Sequence, residues 1–363
     1  MLVNNTPVKV DINIETSTVT SEAFFSACFI IESETAPRSF VISKLSDLID
    51  LGFARVSIAY NVAYSLLVQR KMTEIHFRSK RKLESYVEAY DADDNSSFYY
   101  ISIESKGIVD VLALNDHIQL DTNKLQFFST TEDVSSQVLG RRLVYYYQDE
   151  FTGLDIPPYY SDGIDDYWLW DNEDNVTWDN NDRLLMQLHD MDQEQAQARK
   201  AIYPEMSWIG YCGWFFPSRI QWLHKRLVSV DANKYINIPN LSSTTSLVMF
   251  NSPATSGSGT TCQGIPINFQ VSLDWLVYAI SKRMWNILYN TPTKINTTRN
   301  GLSVLENSLV ETLDFSVTEN IFTEYKIISR SVDRITGKAS FKFSATLLHS
   351  ILGVDKVEGT IYH

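Results

Sequence analysis

The residues whose types and spacing could do chemistry are few. His189, Asp190 and Asp192 gather three potential metal ligands, but a one-turn cluster on a polar helix reads as a solvated face. His224 sits beside Trp222, Lys225 and Arg226; no serine or cysteine motif accompanies it as nucleophilic catalysis would require. The glycines of Gly257-Ser-Gly-Thr-Thr-Cys-Gln-Gly264 miss the dinucleotide spacing and lack a strand-to-helix context, and no Gly-Lys-Ser/Thr phosphate loop occurs. That stretch reads as a connection. Cys28, Cys212 and Cys262 are odd in number and widely separated, which points to small buried thiols in a reducing compartment rather than a zinc or redox motif. No cofactor or metal is expected, and no catalytic residue emerges.

The richest segment is acidic and aromatic. From Gln148 to Asp182 there is no Lys or Arg, while 11 acids recur and Phe151, Tyr159, Tyr160, Tyr167, Trp168, Trp170 and Trp178 lie among them. So many rings exclude a disordered acidic linker. An ordered surface insertion follows, one that either packs on its own aromatics or grips a sugar by ring stacking.

The elements that would position these residues divide the chain. Val8, Val10, Ile12 and Ile14 alternate as a strand with one apolar face, which joins either its own domain's sheet or the open edge of a neighbour's. Between 22 and 148 strands and helices alternate. Strands are expected at Ala23–Glu32, Thr73–Arg78, Phe98–Ile103, Leu125–Ser129 and Arg142–Gln148. Helices are expected at Ser43–Leu51 with Ser43 as N-cap, Ser57–Arg70, Lys80–Asp91 and Gly107–Ile118. This order implies a partly parallel sheet with helices packed on it. After the insertion comes a polar helix over about 182–201. The last third reads as a second body: Trp208–Phe216 is aromatic and β-prone, Leu273–Tyr289 is an amphipathic helix, and Leu302–Leu313 is a helix after Gly301. Strands follow at Phe322–Ser329 and Ala339–Leu347, and Val354, Val357 and Ile361 close on an extended segment.

Composition limits the partners. The chain has 363 residues, room for several cores without disulfides or metals, and 31 Lys and Arg against 44 Asp and Glu give a net charge of −13. That excess disfavours a nucleic-acid backbone as partner. No apolar run approaches the ~20 residues that span a bilayer, so no direct membrane insertion is expected, and the alternating first 20 residues do not read as an export signal.

In the last third an ordered succession of short motifs becomes specific. Phe216-Pro217 is followed by Trp222-Leu-His-Lys225 and Val228, Asn251, the Gly-rich loop to Gly264, Leu273-Asp-Trp-Leu276, and Lys294-Ile295 with Gly301. This order resembles the tail sheath family of contractile phage tails. The portion from 22 to 148 is similar to the preceding sheath domain; the acidic insertion aligns with nothing, and the glycine usual after the Lys of the Trp/Lys stretch is absent.

The resemblance implies an α/β and α+β fold: a sheath-type inner domain with exchanged terminal β-arms, plus an outer α/β domain carrying the insertion. Its domains would be an N-terminal arm 1–21 joining a neighbour's inner-domain sheet, an α/β outer or middle domain 22–148, the insertion and helix 149–204, an inner tube-proximal domain 205–349 and a C-terminal arm 350–363. The arms would dock through Val8, Val10, Ile12, Ile14, Val354, Val357 and Ile361, and Lys282, Arg283, Lys294 and Arg299 would face the tube. It further implies a structural protein, not an enzyme, assembled in the bacterial host cytoplasm and resident in the virion tail. Its partners would be copies of itself in a helical sheath of stacked rings, the tail tube protein, and baseplate and tail terminator proteins. The competing reading is an α/β carbohydrate-binding or glycan-processing protein using the acidic aromatic insertion.

Overall fold

The computed structural model describes residues 21–55, 57–92, 97–118, 124–130, 143–147, 159–161, 166–168, 203–222, 261, 265–291 and 295–348. The described residues fall into two compact units, one within 22–215 and 222–267 and the other within 216–221 and 268–348.

The first unit is built on a six-stranded mixed sheet. After a 3-10 turn at Ser21–Phe25 come β1 (Ala27–Glu32), β2 (Ser39–Ile42), α1 (Leu45–Asp50), α2 (Ile58–Leu67), β3 (Ile75–Lys80), α3 (Tyr86–Asp91), β4 (Tyr100–Ile103), α4 (Ile108–Ile118), β5 (Leu125–Thr130) and β6 (Leu143–Tyr147). Strand order is β2-β3-β1-β4-β5-β6. All neighbours run parallel except β2, which pairs antiparallel with β3 through Phe40 opposite Phe77. The expected partly parallel sheet is present. Strand β1 reads as a continuous apolar run because both faces are covered, whereas β3, buried throughout, carries His76, Arg78, Ser79 and Lys80. Cys28, Ile30, Ile101 and Phe128 meet α3 and α4 on one face; Phe29, Tyr100 and Phe127 meet Tyr203, Trp222 and Trp208 on the other.

Local chemistry sets the helix starts. Ser57 Oγ accepts from the Tyr60 amide, and Ser85 forms a capping box with Glu88. Helix α3 therefore begins six residues later than the sequence reading of Lys80–Asp91, because Lys80 completes a buried strand. Helix α1 is capped at Lys44 instead of Ser43, the Asp47 carboxylate accepting from the amides of both. Strand β2 was missed; four residues are too short for a period to show.

The stretch Trp208–Phe216, read as β-prone, is a correction. Residues Pro204–Cys212 form a helix, α5, with Pro204 in its first turn, where a missing amide costs nothing. Its Gly210 lets two backbones meet: a Cβ there would lie 2.6 Å from Leu66 O on α2. Trp208 Nε1 donates to Trp222 O at 2.9 Å. Residues 205–215 fall in the same compact unit as the α/β sheet. Between β6 and α5, β7 (Tyr159–Ser161) and β8 (Asp166–Trp168) pair antiparallel within the acidic segment.

The second unit holds two long helices, α6 (Ile267–Asn290) and α7 (Arg299–Thr318), and an antiparallel hairpin of β9 (Phe322–Val332) and β10 (Ala339–Leu347). Leu276, Ile280 and Met284 on α6 share a core with Leu305, Leu309 and Leu313 on α7. Helix α6 starts six residues before the expected Leu273, where Asn268, Gln270, Ser272 and Asp274 are buried beside Ile267 and Val271 and no apolar stripe shows. Helix α7 starts at Thr298, whose Oγ1 accepts from the Gly301 amide at 3.4 Å, so Gly301 lies inside it rather than before it. A Cβ on Gly301 would overlap Asn296 O at 1.9 Å. Among the described residues, no helix is long and apolar enough to cross a membrane.

Candidate assembly site

Among the described residues of the second unit, the β9–β10 hairpin has a half-buried apolar face and two unpaired edges. Its residues alternate: Phe341, Phe343, Ala345 and Leu347 turn toward the helical core, while Ser340, Lys342, Ser344 and Thr346 face solvent. The inward face is only partly buried. Among the described residues, no third strand pairs with either edge. Two-stranded sheets are marginal by themselves, and long open edges of this kind are templates for pairing.

A bulge refines the hairpin. Register runs Phe343 to Ile327 but Lys342 to Ser329, so Ile328 has no opposite residue and stands 52% exposed. The extra residue reverses which side of β9 looks inward. Tyr325 and Ile327 pack on the core before it; after it, Arg330 forms an ion pair with Glu306 of α7. Tyr325 Oη also donates to Asp314 Oδ1 of α7 at 2.5 Å, and desolvation together with that bond raises the phenol to about 12. The turn is preset: Asp333 accepts from the Ile335 amide at 2.8 Å and from Thr336 Oγ1 at 2.7 Å, and Gly337 takes φ +72°. These bonds hold the Asp333 carboxyl below its usual range.

The predicted site residues are distributed as follows. Lys282 and Arg283 are exposed on α6; Lys282 Nζ donates to Tyr278 Oη at 2.7 Å, and Arg283 pairs with Glu311 of α7. Arg299 is exposed in the first turn of α7. Lys294, the arm residues Val8, Val10, Ile12, Ile14, Val354, Val357 and Ile361, and His189, Asp190, Asp192 and His224 lie outside the described residues. Sequence reasoning missed an aromatic patch on the last turns of α6. Trp285 and Tyr289 stack there at 6.1 Å, and Leu288 is half exposed beside them; their i, i+4 spacing was the available signal.

Charges also gather at the carboxyl ends of the parallel strands. Lys80 Nζ bonds Glu32 at 2.9 Å, the Glu32 amide donates to Glu104 Oε2 at 2.7 Å, and Tyr203 Oη donates to Glu104 O at 3.0 Å. Desolvation raises the Glu104 carboxyl and lowers the Lys106 ammonium, which lies 4.9 Å from the Tyr203 ring. Ser102 Oγ donates to buried Glu205 at 3.3 Å. These bonds brace the loops after β1, β3 and β4 against α5. Among the described residues, no group of three His, Cys, Asp or Glu is placed to hold a metal.

No protein-family model matches the chain, and no curated protein matches it.

Proposed function

We propose that the chain is a structural subunit of a contractile tail sheath, polymerising around a tail tube through exchanged terminal strands. The observation that carries this reading is the β9–β10 hairpin, whose apolar face is partly covered and whose edges have no third strand among the described residues. An arm with Val8, Val10, Ile12 and Ile14 on one face supplies what such an edge needs. Main-chain bonds hold it, and the alternating apolar side chains set register by extending the inward face. The C-terminal segment is the second arm in this reading, though its spacing differs: Val357 and Ile361 share one strand face and Val354 lies on the other.

In this reading the folded bodies rotate and slide while paired strands keep neighbours attached, and an extended helix of subunits relaxes to a wider, shorter one. Burial and charge pairing between bodies drive the change, so no nucleotide is hydrolysed. Tube contact is polar and modest, because the sheath has to release the tube. Of the four basic candidates, Arg283 is paired with Glu311 and Lys282 donates to Tyr278 Oη, so contact by either would exchange or share these partners.

Negative-stain electron microscopy at rising protein concentration tests the proposal. The full-length chain is expected to form rings or striated tubes, and a chain lacking residues 1–21 is expected to form neither. Monomers from both chains, with and without tube protein, would refute it.

A further inference from the structure

The two-residue period of a strand puts His76 and Arg78 of β3 on the sheet face covered by α3 and α4. Across the antiparallel pairing, Val41 of β2 stands opposite His76 and Ser39 opposite Arg78. Over these residues lies a cavity of about 170 Å³, lined by Ser39, Phe40, Val41, His76, Phe77, Arg78 and Phe98. A single water requires only ~10–15 Å³ on that measure.

Among the described residues, the lining has one unmet polar group. His76 is 8% exposed, and its Nε2 has no hydrogen-bond partner; the Glu74 carboxylate stands 3.7 Å away, beyond bonding reach. Two buried cations flank the Phe98 wall: Arg78 Cζ is 5.0 Å from the ring centroid and Lys124 Nζ is 4.2 Å from it. Each has a carbonyl to bond, Tyr90 O for Arg78 and Phe98 O for Lys124. Among the described lining residues none is acidic, and the acid next to them is Glu74, beside His76 Nε2. Burial, aided by these two cations and opposed by Glu74, holds the His76 imidazole below its usual range.

We infer that this cavity is a binding site for a carboxylate carried on a small apolar body. His76 Nε2–H donates to one carboxylate oxygen, the Arg78 and Lys124 charges offset the cost of burying an anion, and Phe98 and Val41 cover the apolar part. Such a carboxylate comes either as a free small molecule or as an Asp or Glu side chain of a second copy. The inference does not rest on the sheath reading, since a chain that forms no tubes can still bind here.

Benzoate titrated into the full-length protein is the probe, with the six histidines followed by NMR. One histidine signal is expected to shift saturably and to vanish in His76→Phe, which keeps a ring in place. Should that variant fail to fold, Val41→Trp fills the mouth from a rim position that is 48% exposed. By blocking entry it is expected to weaken benzoate binding roughly tenfold or more, about 1.4 kcal/mol, without lowering thermal stability. A wild-type protein whose histidine signals do not respond, or a response unchanged in Val41→Trp, overturns the inference. Sedimentation at rising concentration then separates the sources. Self-association suppressed by benzoate and lost in Val41→Trp assigns the carboxylate to a neighbouring copy; unchanged self-association assigns it to a free small molecule.

Discussion

Arg219 and Glu319, a hundred residues apart, meet as a fork: Nε donates to Oε2 and Nη2 to Oε1, each at 2.8 Å. Glu319 is the C-cap of α7, and Ser218 Oγ donates to its carbonyl. The short turn Pro217–Arg219 is thereby fastened to the end of a helix, with Phe216 against Trp275 and Phe315.

The Glu319 side chain is 12% exposed and the Arg219 side chain 63%, so the fork places this pair at the upper end of surface ion pairs. A double-mutant cycle of Arg219→Ala and Glu319→Gln, read by denaturant unfolding, is expected to give a coupling of about 1 kcal/mol. Arg219→Lys should recover less than half of it, because an ammonium cannot make the planar fork.

Gly210→Ala should destabilise the chain by about 1–3 kcal/mol, since the added methyl meets the Leu66 backbone at 2.6 Å and neither helix can yield cheaply. Thr298→Ala, which removes the cap of α7, should cost about 1 kcal/mol. Thermal melts of both variants check the two values, and a neutral Gly210→Ala would mean that α2 and α5 are not in backbone contact.

Glu104 carries a pH signature. Desolvation raises its carboxyl above the usual range, against the Glu32 amide bond and Lys80. A raised acid binds protons more tightly when folded, so its charged form penalises the fold at neutral pH, and the penalty fades as pH falls through the folded value. Glu104→Gln should therefore melt higher than wild type near neutrality, and the gap should close on acidification. A gap that widens instead would reverse the sign.

Within the sheath proposal, Ile12→Asp places a charge on the apolar face of the N-terminal arm. Assembly should require roughly tenfold or more protein, a loss of about 1.4 kcal/mol per contact or greater, while the melting temperature of the unassembled chain stays unchanged. Sedimentation and microscopy at matched concentrations measure both. Ser331→Asp, on the solvent face of β9, is the control and should assemble like wild type.

Much of the α/β unit was legible. Apolar strands, capping serines and short connections announce themselves through local chemistry, as Ser57 and Ser85 do. The hairpin strand Ala339–Leu347 matched its expected bounds, because strict alternation survives when one face stays wet. What misled was all-round burial. Helix α5 buries Glu205 and Ser207 as fully as Met206 and Ile209, so no apolar stripe marked it as a helix. The first turns of α6 were lost for the same reason.

Residue order by itself determined the mixed α/β class of the first body, the two long helices of the second, the acidic stretch without a base, and the excess negative charge. Those properties follow from period, capping and composition, which are local. Only the tertiary structure decided that 205–215 packs with the α/β unit, that Ile328 bulges and turns Arg330 inward, that Arg219 finds Glu319, and that His76 and Arg78 line one cavity. Each of these depends on which distant surfaces meet, and burial against a distant surface leaves no periodic trace in the chain that supplies it.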